Sequence, residues 1–117
     1  MSDSSDLDQK NCIPCKGEIP SFAISEIHKY LKKVDGWDVK NKEKEIYFLE
    51  KNFTFNNFFE SQKFVNQVSD IAEKEGHHPD IAFGWGYARI KILTHAVKGL
   101  SENDFILASK IDAKINV

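Results

Sequence analysis

The side chains best suited to chemistry are three histidines crowded into nineteen residues, His77, His78 and His95. Histidine alone has an unperturbed pKa, about 6.5, that lets it both give and take a proton near neutrality. Imidazoles held together resist double protonation, so their pKa values separate and one can act as acid while another acts as base. A dehydration needs both roles. The leaving hydroxyl must gain a proton as its C–O bond breaks, and a neighbouring N–H must lose one as the double bond forms. Spacing alone leaves two other readings open. Three imidazoles can hold zinc or iron, and histidines at a helix end can simply complement its dipole and do no chemistry. The fourth histidine, His28, stands apart between Ile27 and Lys29. It is expected at the surface, without a chemical role.

The elements that must position these rings can be read on both sides of them. A long helix is expected from about Asn57 to Glu75, with a stripe of Phe58, Ser61, Phe64, Val65, Val68, Ile71 and Ala72. Asn57 followed by Glu60 has the form of a capping box. Gly76 ends the helix and Pro79 blocks a restart, so His77 and His78 occupy a tight helix-to-strand junction. Strands are expected at Ile81 to Trp85 and Tyr87 to Thr94, joined through Gly84 and Gly86. If these two strands pair antiparallel, the start of one lies beside the end of the other, and His95 meets His77 and His78 at one end of the sheet.

Upstream, Ile27, Tyr30, Leu31 and Val34 share one face of a helix expected from Ile24 to Val34, capped by Ser21 or Ser25 and closed by Gly36. Trp37 to Lys40 and Lys44 to Phe53 read as a hairpin turning at Asn41 to Glu43. Ser101 with Asp104 three residues on opens a last helix that buries Leu107, Ala108, Ile111 and Ile115. The order is therefore αββαββα. Hairpin strands and amphipathic helices give an α+β two-layer sandwich, a four-stranded antiparallel sheet with three helices on one face. The other face is expected to be partly solvated or used in assembly.

Composition narrows the function classes. The 117 residues are 41% hydrophobic and 29% charged, with a net charge of −2. That is one domain of ordinary soluble make-up. No basic stripe supports nucleic-acid binding. No apolar run approaches the roughly 18 residues of a membrane span. The polar N-terminus lacks the pattern of a signal peptide, which makes the cytoplasm the expected compartment. Residues 1–20 read as a flexible polar leader and 21–117 as a single domain. The leader holds both cysteines, Cys12 and Cys15, in Cys-Ile-Pro-Cys. They read as reduced thiols, with a metal clip completed by a distant histidine as the sharper alternative.

Longer strings carry a resemblance. Glu73-Lys-Glu-Gly-His77-His78-Pro79, then Trp85, His95 and Asp104 at matching intervals, is similar to the signature of the pterin-4a-carbinolamine dehydratases. Thr94-His95-Ala-Val-Lys-Gly99-Leu100-Ser-Glu-Asn-Asp104, the Gly36-Trp37 pair and Phe53-x-Phe55 resemble it as well, and the likeness covers about residues 22–114.

The resemblance implies the same fold, and a hydro-lyase that converts 4a-hydroxytetrahydrobiopterin, or a related pterin, to the quinonoid dihydropterin. No metal and no organic cofactor are implied. The expected context is tetrahydropterin recycling for an aromatic amino acid hydroxylase, by a homodimer or homotetramer. His77, His78 and His95 match the active-site histidines. His78 and His95 are expected to transfer protons, with His77 binding the pterin or sharing the acid role. Glu73, Pro79, Trp85 and Asp104 match supporting positions. Capping is put ahead of catalysis for Asp104, and hairpin packing is as reasonable as ring stacking for Trp85. A non-catalytic role as a dimerisation cofactor of a transcription factor is the alternative.

Overall fold

A computed structural model of the chain describes residues 7–12, 21–43 and 46–115. Among the described residues, three α-helices and four strands follow one another as α1 (Ile24–Leu31), β1 (Asp38–Glu43), β2 (Ile46–Thr54), α2 (Phe58–Glu75), β3 (Asp80–Gly84), β4 (Tyr87–Ile92) and α3 (Glu102–Ile115). A single 3-10 turn, His95–Val97, separates β4 from α3. The strands form one antiparallel sheet in the order β1-β2-β4-β3. This is the expected α+β sandwich.

Alternation decides which face is covered. Leu49 and Phe53 of β2 pair with Ile92 and Ala88 of β4, and with Ile90 they form a buried surface under the helices. Phe64, Val65 and Val68 of α2 meet it, as do Phe105, Leu107, Ala108 and Ile111 of α3. The opposite face carries the other parity. There Glu50 stands opposite Lys91, Asn52 opposite Arg89 and Thr54 opposite Tyr87. Lys40 pairs with Glu50, and the Lys91 ammonium lies over the Phe48 ring. That face is partly solvated and charged.

One polar link crosses the covered side. Trp37 Nε1 donates to Asp112 Oδ2 at 2.9 Å, and Lys51 Nζ donates to Asp112 Oδ1 at 2.8 Å and to the Asp35 carbonyl at 2.7 Å. It ties the C-terminal half of α3 to the first hairpin.

Several boundaries differ from expectation. Ser21 and Ser25 do not cap α1. Ala23 occupies the cap position, and the Glu26 carboxylate accepts its N–H at 3.0 Å. The helix ends at Leu31, after which Lys33 and Val34 bond back three residues, to the carbonyls of Tyr30 and Leu31. Asn41 to Glu43 are strand rather than turn, because an edge strand tolerates polar residues; the connection at 44–45 lies outside the described residues. Phe58 is exposed rather than part of the buried stripe of α2. Within the segment expected as leader, residues 7–12 lie against the domain and Leu7 is only 1% exposed. Cys15 lies outside the described residues.

Candidate active site

The junction carrying two of the histidines is built by the end of α2. Gly76 adopts φ +67°, the left-handed conformation that costs a glycine little. Its N–H and that of His77 both bond to the Ala72 carbonyl, a Schellman-type closure that fixes where the chain leaves the helix. His77 and His78 follow at once, and Pro79 leads into β3. Across the sheet Asp80 pairs with Lys91, so the start of β3 lies beside the end of β4. Leu93, Thr94 and His95 come next, with Thr94 bridged to Gly99.

The three histidines therefore border one space. His77, His78 and His95 line one cleft of about 420 Å³, together with Glu75, Gly76, Leu93, Thr94, Ala96, Asn103 and Cys12. That volume is in the range of small-molecule sites.

Each ring is held differently. His77 is 12% exposed, and its Nε2 lies 2.7 Å from Oδ1 of the fully buried Asp104. The other carboxylate oxygen of Asp104 accepts from Thr94 Oγ1 and from the Ser101 N–H, both at 2.8 Å. A carboxylate only accepts, so Nε2 of His77 carries the proton and Nδ1 is its remaining nitrogen. Asp104 thus caps α3 and orients His77 with the same side chain.

His78 is 60% exposed, and its Nε2 meets Oε2 of Glu73, itself 78% exposed, at 2.5 Å. His95 opens the 3-10 turn with its side chain exposed. His28 is exposed on α1, away from the cleft.

The other expected site residues divide. Glu73 and Asp104 touch the histidines, and Pro79 fixes the exit from their junction without lining the cleft. Trp85 does not join them within the chain. It sits in the β3–β4 turn, beyond the far end of β3, which is itself about 13 Å from Asp80 at a normal strand rise, and is 71% exposed. Cys12 lines the cleft although it stands in the segment read as a flexible polar leader; Leu7, apolar in the otherwise polar run 2–11, is the local sign that this segment docks. Among the described residues no group of three or more His, Cys, Asp or Glu side chains is disposed to hold a metal ion, and no helix is long and apolar enough to cross a membrane.

Residues 20–114 match the family model described as pterin 4 alpha carbinolamine dehydratase. A protein of Rubrobacter xylanophilus named "putative pterin-4-alpha-carbinolamine dehydratase" is 43% identical over 108 residues, 92% of this chain and 97% of the relative. One of the same name from Methylococcus capsulatus is 44% identical over 110 residues, 94% of each chain. Among solved structures, a transcriptional coactivator/pterin dehydratase from Brucella melitensis superposes with a TM-score of 0.72 at 27% identity, covering 80% of this chain and 96% of that one. A pterin dehydratase-like protein identified as a RuBisCO assembly factor in the alpha-carboxysome gives 0.57 at 25% identity, over 67% and 87%.

Proposed function

The chain belongs to the pterin 4 alpha carbinolamine dehydratase family, and from that premise we propose that it removes water from 4a-hydroxytetrahydrobiopterin, or a related pterin, to give the quinonoid dihydropterin. The observation that carries the reading is the convergence of His77, His78 and His95 on one cleft. In the reaction a protonated imidazole gives its proton to the 4a-hydroxyl, which leaves as water. A neutral imidazole takes the proton from the adjacent ring N–H, and the electron pair of that bond closes the new C=N. Charge and atoms balance without an oxidant.

The holding of each ring suggests its part. His77, pinned by a buried carboxylate, is suited to bind and orient the pterin or to share the acid role. The exposed His78 and His95 are free to exchange protons with solvent between turnovers, which suits them to the two transfers. A residue in such a role typically contributes about 10²–10⁴-fold. The test is dehydration of freshly generated 4a-hydroxypterin by wild type, His78→Ala and His95→Ala. Losses of that size in folded variants are expected; normal turnover by either variant removes it from the mechanism.

The proposal extends to a cytoplasmic enzyme that serves an aromatic amino acid hydroxylase and works as a homo-oligomer. Exposed Phe58, Phe59, Phe83, Trp85 and Tyr87 around the β3–β4 turn support assembly, since apolar surface of this kind marks contact sites. The same surface, with the coactivator and assembly-factor neighbours, favours a binding module as the second reading. A protein that assembles normally and dehydrates no pterin would decide for it.

A further inference from the structure

We propose that residues 7–12 form a strap closing one side of the histidine cleft, with Cys12 setting how large a ligand the cleft admits. The strap is anchored at several points. Leu7 is buried in the core cluster. The Asp8 carbonyl accepts from Lys110 Nζ at 2.9 Å, and Lys10 Nζ pairs with Glu102 at 2.9 Å. The Cys12 N–H donates to Glu75 Oε1 at 2.8 Å, and the Cys12 thiol points to the Asn103 carbonyl at 3.6 Å.

Glu75 is the pivotal anchor. Its side chain is 4% exposed, it also faces Lys110, and it lies two residues before His77. The strap is thus attached to the very turn that presents His77 and His78, and Cys12 is a wall of the cleft they share with His95.

Cys12 acts there by bulk. Burial first, then the Glu75 and Asp104 carboxylates, push its thiol up to about 12. At neutral pH it is a neutral thiol, a poor nucleophile and a poor metal ligand. What it offers a ligand is a small, slightly polarisable surface opposite the histidines.

The inference rests on the pterin reading for the identity of the ligand, and the experiment separates the two. Cys12→Trp is compared with wild type for binding of 7,8-dihydrobiopterin and for dehydration kinetics, with circular dichroism reporting the fold. The larger ring is expected to weaken binding at least tenfold and to act on KM and Kd rather than on kcat. A folded variant with Kd and KM within twofold of wild type overturns the strap.

If Cys12→Trp does not fold, Cys12→Leu, a smaller increase in bulk, is taken through the same measurements. Kd and KM raised at least threefold with kcat held are expected, and unchanged values overturn the proposal. If wild type binds no dihydropterin, the pterin reading fails. The strap is then judged without ligand: an indole at position 12 shifts the imaging signals of the cleft, the His77 and His95 ring protons in NMR spectra, and unmoved signals overturn it.

Discussion

Asp104 offers the sharpest test, because one carboxylate is asked to do two separable jobs. It accepts the Ser101 N–H and the Thr94 hydroxyl, closing the start of α3, and it accepts Nε2–H of His77. Asp104→Ala removes an acceptor from three donors at a fully buried position. Orphaned buried donors and a lost charge-assisted bond together cost about 3–5 kcal/mol. For a domain of 117 residues that lowers Tm by about 12–20 °C.

Asp104→Asn divides the jobs. Its amide oxygen can still accept from Ser101 and Thr94, so the loss is about 1–2 kcal/mol. Its NH₂ then faces His77, which must offer a lone pair at Nε2 and carry its proton on Nδ1. The ring keeps its place and presents the opposite hydrogen-bonding sense to the cleft. Dehydration is expected to fall about 10²–10⁴-fold, with a tautomer switch visible in the nitrogen chemical shifts of His77. An Asp104→Asn protein with switched tautomer and wild-type turnover refutes the reasoning and leaves Asp104 as a helix cap alone.

Three further outcomes follow from the same geometry. Glu73→Gln alters an exposed pair, so stability changes by less than about 1 kcal/mol and dehydration by a few-fold at most; a loss of a hundredfold in the rate assay places Glu73 in the chemistry. Gly76→Ala puts a Cβ into empty space at φ +67°, so only backbone strain is felt, about 1–2 kcal/mol; urea denaturation showing no loss contradicts the left-handed turn before His77. Burial holds the Asp112 carboxyl above its ordinary 3.8, against the pull of Lys51 and Trp37. The folded state therefore binds this proton more tightly than the unfolded chain. The stability it contributes is fully present below about 3.8 and is lost as pH rises through the folded value. The stability difference between wild type and Asp112→Asn should fall over that window and then level off; a rise with pH in denaturation curves reverses the sign and the argument.

What could be read from the sequence was whatever local rules stated twice. The α2 helix is bounded by Asn57, whose side chain accepts the Glu60 N–H, and by Gly76 in the left-handed region, and its buried stripe repeats between them. Periodicity and both caps agree, so its ends were legible to within a residue. The β3–β4 hairpin was legible for the same reason, and with it the meeting of the histidines. The misses are long-range. Nothing near Trp37 announces Asp112, 75 residues away. Leu7 has no periodic neighbour to reveal that it docks. Serine at 21 and 25 offers a cap, yet Ala23 takes the cap position and Glu26 reaches back from inside the helix to accept its N–H. Trp85 matched a motif in spacing, and only the strand rise shows that five residues of β3 carry it away from the site.

Asp104 was legible by half, and the missing half is the one that positions His77. As a capping residue it follows from Ser101 by local rules. Its bond to His77 crosses 27 residues and needs the sheet to bring the end of α2 beside the start of α3. Once it does, the fold cannot place one without the other: the capped helix, Thr94 two residues past β4 and the His77 ring all meet at a single carboxylate. Without that anchor the His77 ring would be free to rotate. With it, His77 is held by a buried acceptor, His78 meets the exposed Glu73, and His95 stands exposed. The proposed division of acid and base among the rings rests on this difference in surroundings.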